Sequence, residues 1–200
     1  MEHYYTKNTQ TKSEIKNLIY YIKDKEISFK SDNCVFSKNS IDFGSNLLVH
    51  TFLENNINGN KRILDVGCGY GTLGISICSF FEDFSLTMID VNERALSLAK
   101  ENSNSLKNPS NIFVSDCLDE INDGDLYDYI VTNPPIRAGK TVIYKIYEQS
   151  YNHLSKNGEL YVVIQKKQGA SSSKDKLTEV YGNCEIIEKK SGYQILRSIK

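Results

Sequence analysis

Apolar residues along the chain recur with two periods, and each period predicts a different element. Asn17 to Ile22, the turn-like Lys23-Asp24 and Lys25 to Lys30 read as a short hairpin whose second arm alternates polar and apolar positions. Asp42 to Glu54 is helical in spacing, with Leu47, Leu48, Phe52 and Leu53 on one face. From residue 61 strands and helices alternate. Arg62 to Val66 is a short buried strand, followed by glycines and a helix to about Phe81. Ser85 to Asp90 is the next strand, and Asn92 caps a helix carrying Ala95, Leu96, Leu98 and Ala99. Ile112 to Ser115 and Tyr127 to Thr132 are further strands, and Thr141 to Leu154 is a helix that Asn157-Gly158 closes as its C-cap. Leu160 to Ile164 is a strand, Gly169 to Ser173 a flexible segment, and Lys174 to Tyr181 a weaker helix. The last strands, Cys184 to Glu188 and Tyr193 to Ser198, are too close for a crossover helix and must pair antiparallel. The pattern predicts a mostly parallel α/β sheet ending in an antiparallel hairpin. Residues 1–40 are expected to be an extension and 41–200 the core of one domain.

Composition narrows this reading. With 40% hydrophobic and 24% charged residues the chain is globular, and no run approaches the ~20 apolar residues of a membrane span. The opening Met1 to Tyr5 lacks the basic and apolar regions of a signal peptide. The cysteines at 34, 68, 78, 117 and 184 are odd in number and lack metal spacing, which predicts a reducing cytoplasm and no metal site. Neither His3, His50 nor His153 has a triad or metal partner in sequence. The net charge of −1 hides an asymmetry: residues 61–130 hold 12 acidic and 5 basic side chains, residues 131–200 hold 6 and 12. A basic face beside an acidic body is compatible with a nucleic-acid partner.

The chemistry starts at Leu64-Asp65-Val66-Gly67-Cys68-Gly69-Tyr70-Gly71-Thr72-Leu73-Gly74, between a strand and a helix. Glycines there let the backbone turn tightly and approach a ligand. Gly69, Gly71 and Gly74 also match the dinucleotide fingerprint, which alone is weak. Asp65 separates the two readings, because a carboxylate there repels a pyrophosphate and attracts the ammonium of S-adenosylmethionine. Asp90, at the end of the next strand, is placed to accept from ribose hydroxyls. Ser115-Asp116-Cys117 then falls where an adenine edge would lie. The candidate cofactor contacts are therefore Asp65, Gly67, Cys68, Gly69, Gly71, Asp90 with Val91, and Asp116 with Cys117.

Thr132-Asn133-Pro134-Pro135-Ile136 ends the fourth strand of the alternation, at the edge where open α/β sheets bind ligands. Two prolines keep the backbone extended and remove two amide donors. What remains is acceptor-rich: the Asn133 side-chain oxygen and a proline carbonyl. A purine amino group is a poor nucleophile because its lone pair is delocalised into the ring. Two acceptors on its hydrogens would pyramidalise the nitrogen and aim the lone pair at an activated methyl group. Asn133, Pro134 and Pro135 are the candidate catalytic residues, with Asn133 also against the cofactor.

Asp65 to Gly71 and Asn133 to Lys140 resemble the small-subunit ribosomal RNA guanine-N2 methyltransferase family. Val35-Phe36-Ser37-Lys38 and Ile41 to Ser45 resemble the segment before that family's core. The resemblance covers about residues 30–165. It implies a Rossmann-like class I methyltransferase fold with a seven-stranded sheet, S-adenosylmethionine as cofactor and guanine in 16S ribosomal RNA as substrate. It also implies that Phe36, Ser37 and Gly44-Ser45 lie over the cofactor. Where many enzymes with this tetrapeptide carry a base-stacking aromatic, this chain has Ile136.

Ile136, Arg137 and Lys140 flank the tetrapeptide, and Lys166-Lys167 follow the fifth strand on the same rim; these are the candidate RNA contacts. Tyr144, Tyr147 and Tyr151 recur at helical spacing and read as core. A monomer acting on RNA, without a membrane or metal partner, is the leading expectation. Methylation of adenine N6 or of a protein glutamine needs the same grip, and remains open. An NAD-dependent oxidoreductase and a non-catalytic ribosome-assembly protein are the readings from other classes. Asp65 and the Asn-Pro-Pro sequence oppose the former, and the intact glycine turn opposes the latter.

Overall fold

The computed structural model describes residues 14–33 and 40–200. A hairpin, β1 (Lys16–Ile22) and β2 (Lys25–Ser31), leads to α1 (Phe43–Asn55). The alternation then runs β3 (Arg62–Val66), α2 (Thr72–Phe80), β4 (Ser85–Asp90), α3 (Glu93–Ser103), β5 (Asn111–Val114) and β6 (Tyr127–Thr132). It continues through α4 (Lys140–His153), β7 (Leu154–Gln165), α5 (Ala170–Tyr181), β8 (Glu185–Lys190) and β9 (Tyr193–Ile199). The sheet is seven-stranded in the order β5-β4-β3-β6-β7-β9-β8, and β9 runs against both of its neighbours. This is the class I methyltransferase architecture expected from the alternation and the resemblance, with the N-terminal hairpin as a separate two-stranded sheet.

Strand alternation divides the core into two layers. Ile63, Val131, Tyr161, Val163 and Ile195 face α1, α2, α3 and the hairpin. Leu64, Val66, Ile130, Leu160, Val162, Ile164 and Leu196 face α4 and α5. Phe52 of α1 is fully buried, with its ring 5.0 Å from Tyr161, 5.1 Å from Tyr129 and 6.1 Å from Phe81. Tyr147 lies in the second layer, fully buried, as its spacing predicts.

Two local expectations fail. The C-terminal end of α4 is not capped by Asn157-Gly158. The helix stops at His153, and Leu154 is already extended and paired with Tyr127. Asn157, at φ 63°, lies inside an irregular stretch of β7, where Asn157 N–H donates to Lys200 O and Lys200 N–H donates to Gly158 O. Cross-strand bonds to the chain end replace a helix cap. Gly169 to Ser173 is likewise no flexible segment. Ala170 is buried, and Ser173 Oγ accepts from the buried Tyr147 hydroxyl at 3.1 Å, so packing makes these residues the first turn of α5. Small polar side chains conceal that burial from a hydrophobicity pattern.

The N-terminal hairpin braces the glycine turn from outside. Buried Asn102 of α3 accepts from Lys30 N–H at 2.7 Å and donates to Lys30 O at 3.0 Å and Tyr70 O at 2.9 Å. Phe29 meets the Tyr70 ring edge-on at 5.9 Å, and Arg94 pairs with the buried Asp32 at 2.7 Å. Among the described residues no helix is long and apolar enough to cross a membrane. Because Phe52 joins α1 to the sheet through several rings, Phe52→Ala should destabilise the fold by about 3–5 kcal/mol. The measurement is the urea midpoint, which should fall at an unchanged m-value.

Candidate active site

The ends of β3 and β4 build the floor of the site. Gly67 and Cys68 both donate to Ile89 O, at 2.9 and 3.0 Å, folding the chain back over β4. Gly67 and Gly69 have φ of 69° and 57°, and a Cβ on either would meet no atom within 4 Å, so both face open space. Gly74, in the first turn of α2, is pressed onto the sheet; its Cβ would stand 2.7 Å from a Leu86 methyl. Its N–H donates to Asp65 Oδ2 at 2.9 Å. Asp65 is fully buried, and its Oδ1 accepts no hydrogen bond among the described residues. Burial pushes its carboxyl up to about 7; the Gly74 N–H opposes the shift and the neighbouring Asp90 charge adds to it. Asp90 accepts from Gly69 N–H at 2.8 Å and Asn92 N–H at 2.9 Å, and its carboxyl is also raised, by burial. Burial keeps the Cys68 thiol protonated, its pKa well above the ordinary value, so it is no nucleophile.

The ends of β6 and α1 build the wall. Thr132 Oγ1 donates to Val66 O at 2.8 Å, which locks the end of β6 beside that of β3. Asn133 Nδ2 donates to Asp42 Oδ2 at 3.0 Å and to Ser45 Oγ at 2.9 Å. Both amide hydrogens are therefore used inside the chain. No donor among the described residues reaches Asn133 Oδ1 or the Pro134 carbonyl, whereas Pro135 O accepts from Ala138 N–H at 2.9 Å. The acceptor-rich corner predicted from Asn-Pro-Pro is thus built from Asn133 and the first proline.

These walls enclose a cavity of about 330 Å³, within the range of small-molecule sites. It brings together the predicted residues Ser45, Asp65, Gly67, Cys68, Gly69, Asp90, Asn133, Pro134, Pro135, Ile136 and Arg137. Gly71, Val91, Asp116, Cys117, Lys140, Lys166 and Lys167 do not line it. Gly71 caps α2. The Asp116 carboxylate is 66% exposed and turned to Lys145 at 3.8 Å, and Cys117 packs toward Val142 of α4. The three lysines stand exposed outside the cavity. Phe36 and Ser37 lie outside the described residues. Among the lining residues that no motif points to are Asp42, which apolar spacing gives only as the start of a helix, and Tyr193, which β9 delivers by pairing it with Gln165 of β7. Lys189 and Lys190 end β8 next to Tyr193 and extend the basic rim that the counts suggested.

The geometry fits a cationic ligand. Asp65 and Asp90 line the cavity, one Asp65 oxygen lacks a partner among the described residues, and the Gly67 and Gly69 cradle leaves room that any side chain would fill. A pyrophosphate would be driven off by the same carboxylates. The profile of the methyltransferase small domain matches residues 26–197. The chain belongs to that family. Its methyl donor is S-adenosylmethionine. The methyltransferase is 45% identical to the Bacillus subtilis (strain 168) protein named Uncharacterized protein YbxB, over 100% of this chain and 98% of that protein. It is 29% identical to ribosomal RNA small subunit methyltransferase C of Psychromonas ingrahamii, over 96% of this chain and 54% of the relative. A solved structure of the T. thermophilus 16S rRNA N2 G1207 methyltransferase (RsmC), with AdoMet and guanosine, superposes with a TM-score of 0.82 at 22% identity. It matches 93% of this chain and 50% of that one, and the likeness establishes the shared fold. The methyltransferase thus spans about half the length of these two named rRNA enzymes.

Among the described residues no group of three or more His, Cys, Asp and Glu is placed to hold a metal ion. The Asp65 proton has a measurable consequence. The folded chain holds it far more tightly than the unfolded chain, so the ligand-free protein should lose stability as pH rises from about 4 to about 7. Asp65→Asn keeps an acceptor for Gly74 but cannot ionise. Its thermal midpoint should match wild type near pH 4 and exceed it near pH 8; a difference that does not vary with pH would count against the raised carboxyl.

Proposed function

We propose that this methyltransferase places a methyl group on the exocyclic N2 amine of a guanine in 16S ribosomal RNA. The observation that carries the reading is Asn133, whose amide hydrogens are both tied down, leaving its oxygen as the open end in a cavity that Pro134 also lines. S-adenosylmethionine supplies, when bound, a methyl group activated by its sulfonium. Asp65 would hold the donor's ammonium through its unpartnered oxygen, and the glycine turn would let the backbone approach it. Asp90 keeps lone pairs for ribose hydroxyls beyond those it uses on the Gly69, Asn92 and Val91 N–H groups. Asn133 Oδ1 and Pro134 O accept the two hydrogens of the incoming amine and orient its lone pair into the cavity. No strong base is needed, because the nitrogen becomes acidic as it gains the methyl, and its proton is released to solvent water.

Ile136 offers an aliphatic wall to the base, and Tyr193 an aromatic one on the same cavity. Arg137, Lys140, Lys166 and Lys167 meet the phosphates on either side of a flipped nucleotide. In support, Lys140, Lys166, Lys167, Lys189 and Lys190 make no ion pair among the described residues, whereas Lys61 and Arg62, where β3 begins, pair with Asp128 and Asp125. Similarity to proteins named for 16S rRNA methylation supports the choice of RNA over other amines.

Tritium transfer from labelled S-adenosylmethionine to ribosomal subunits, naked RNA, DNA and protein tests the proposal. Nucleoside analysis should return N2-methylguanosine from 16S RNA; label on adenine N6 or a protein glutamine would overturn it. Asn133→Ala should lower kcat by about 10²–10³-fold, the scale of losing one preorganised polar contact. Donor affinity should barely change. Asp90→Ala should instead weaken donor binding by about 1–3 kcal/mol, and equal effects of the two on both quantities would contradict this division of roles.

A further inference from the structure

We infer that Asp42 is a positioning residue: its carboxylate decides which end of the Asn133 amide faces the cavity and strengthens the oxygen that does. The inference rests on the proposed amine-gripping role of Asn133. The two ends of an asparagine amide are nearly the same size, and a half-turn about the last side-chain bond exchanges them. A flipped Asn133 would present NH₂ to a substrate NH₂, donor against donor, and the grip would be lost.

The surroundings forbid the flip, and one residue does the forbidding. Ser45 Oγ, 2.9 Å from Asn133 Nδ2, tolerates either end because a hydroxyl both donates and accepts. Asp42 Oδ2, 3.0 Å from Nδ2, as a carboxylate accepts only. A flip would set the amide oxygen against a carboxylate oxygen at that separation. The same Oδ2 accepts from Ser45 N–H at 3.1 Å as the N-cap of α1, so the helix backbone fixes where the charge stands. Gly44 permits the close approach, since a Cβ there would lie 2.9 Å from Asp42 Oδ2. One carboxylate oxygen thus joins the start of α1 to the end of β6 across 91 residues of sequence.

The charge also works along the chain of bonds. A carboxylate accepting from the amide nitrogen polarises the amide and makes Oδ1 a stronger acceptor. That negative pole faces the amine nitrogen on which positive charge develops as it is methylated.

Two substitutions separate positioning from capping. Ser is as good an N-cap as Asp, yet its hydroxyl is too short to reach both Ser45 N–H and Asn133. Asn keeps an acceptor for both bonds but removes the charge. Asp42→Ser should lower kcat by about 10²-fold, the scale of a misplacement of about 1 Å. Its thermal midpoint, donor Kd and KM for RNA should stay near wild type. Asp42→Asn should recover most of that loss. Full activity in Asp42→Ser overturns the inference, and so does a kcat loss matched by falls in donor affinity and thermal midpoint. The kcat ratios are read on whichever amine the wild type methylates, so an adenine or glutamine product would sink the guanine assignment and leave this test intact. A readout independent of turnover is the Asn133 side-chain amide signal in ¹⁵N-asparagine-labelled protein, assigned by its absence in Asn133→Ala. Its protons should be protected from exchange in wild type and Asp42→Asn and unprotected in Asp42→Ser; equal protection in Asp42→Ser would overturn the inference.

Discussion

A buried carboxylate with one oxygen bonded and the other bare organises this protein. Asp65 Oδ2 holds the first turn of α2 against β3 through Gly74 N–H, while Oδ1, fully buried, has no partner among the described residues. Desolvating such a group is unfavourable, and the protein meets that strain by raising the carboxyl's pKa toward neutrality. A site kept in this state suits a cation, because a ligand ammonium would supply a partner for the oxygen and favour the ionised carboxyl. The cradle of Gly67 and Gly69, the bend over Ile89 O and the support of Gly69 by Asp90 all arrange backbone beside that carboxylate.

The acceptor wall is held by different means. Its backbone is fixed by proline and by the Thr132 bond to β3, and its side chain by two bonds from α1. The bonds from α1 do not involve the floor, whereas the Thr132 bond ties the wall to it. The parallel neighbours β3 and β6 bring the two together, since their register sets Val66 beside Thr132. Glycine-turn floor and Asn133 wall therefore lie one strand apart, at the edge where the parallel strands of the sheet point their carboxyl ends. The N-terminal hairpin acts on the same region from outside, through Asn102 and Phe29 against Tyr70.

Much of this was legible in the residues themselves. Every strand and helix of the alternation was predictable from apolar spacing, and the antiparallel close of the sheet followed from the short link before Tyr193. The glycine turn, Asp65, Asp90 and Asn133 were legible because each motif stands at a strand end, and strand ends in such a sheet share one edge. Asp116 and Cys117 share that edge in sequence, yet their side chains turn toward α4, a choice made by Lys145 and Val142. The segment before α5 was misread because Ala170 and Ser173 are buried by the neighbours they meet and not by their own apolarity.

Local chemistry alone determined the element order, the fold class and the residue types at each strand end, since backbone periodicity and turn residues act over short distances. Only the tertiary structure decided which of those residues share a cavity. Tyr193 enters it because β9 pairs with β7, and Asp42 changes from helix cap to partner of Asn133 because packing sets the start of α1 beside the end of β6. Contacts across such sequence distances depend on strand order and helix docking, which no local pattern encodes.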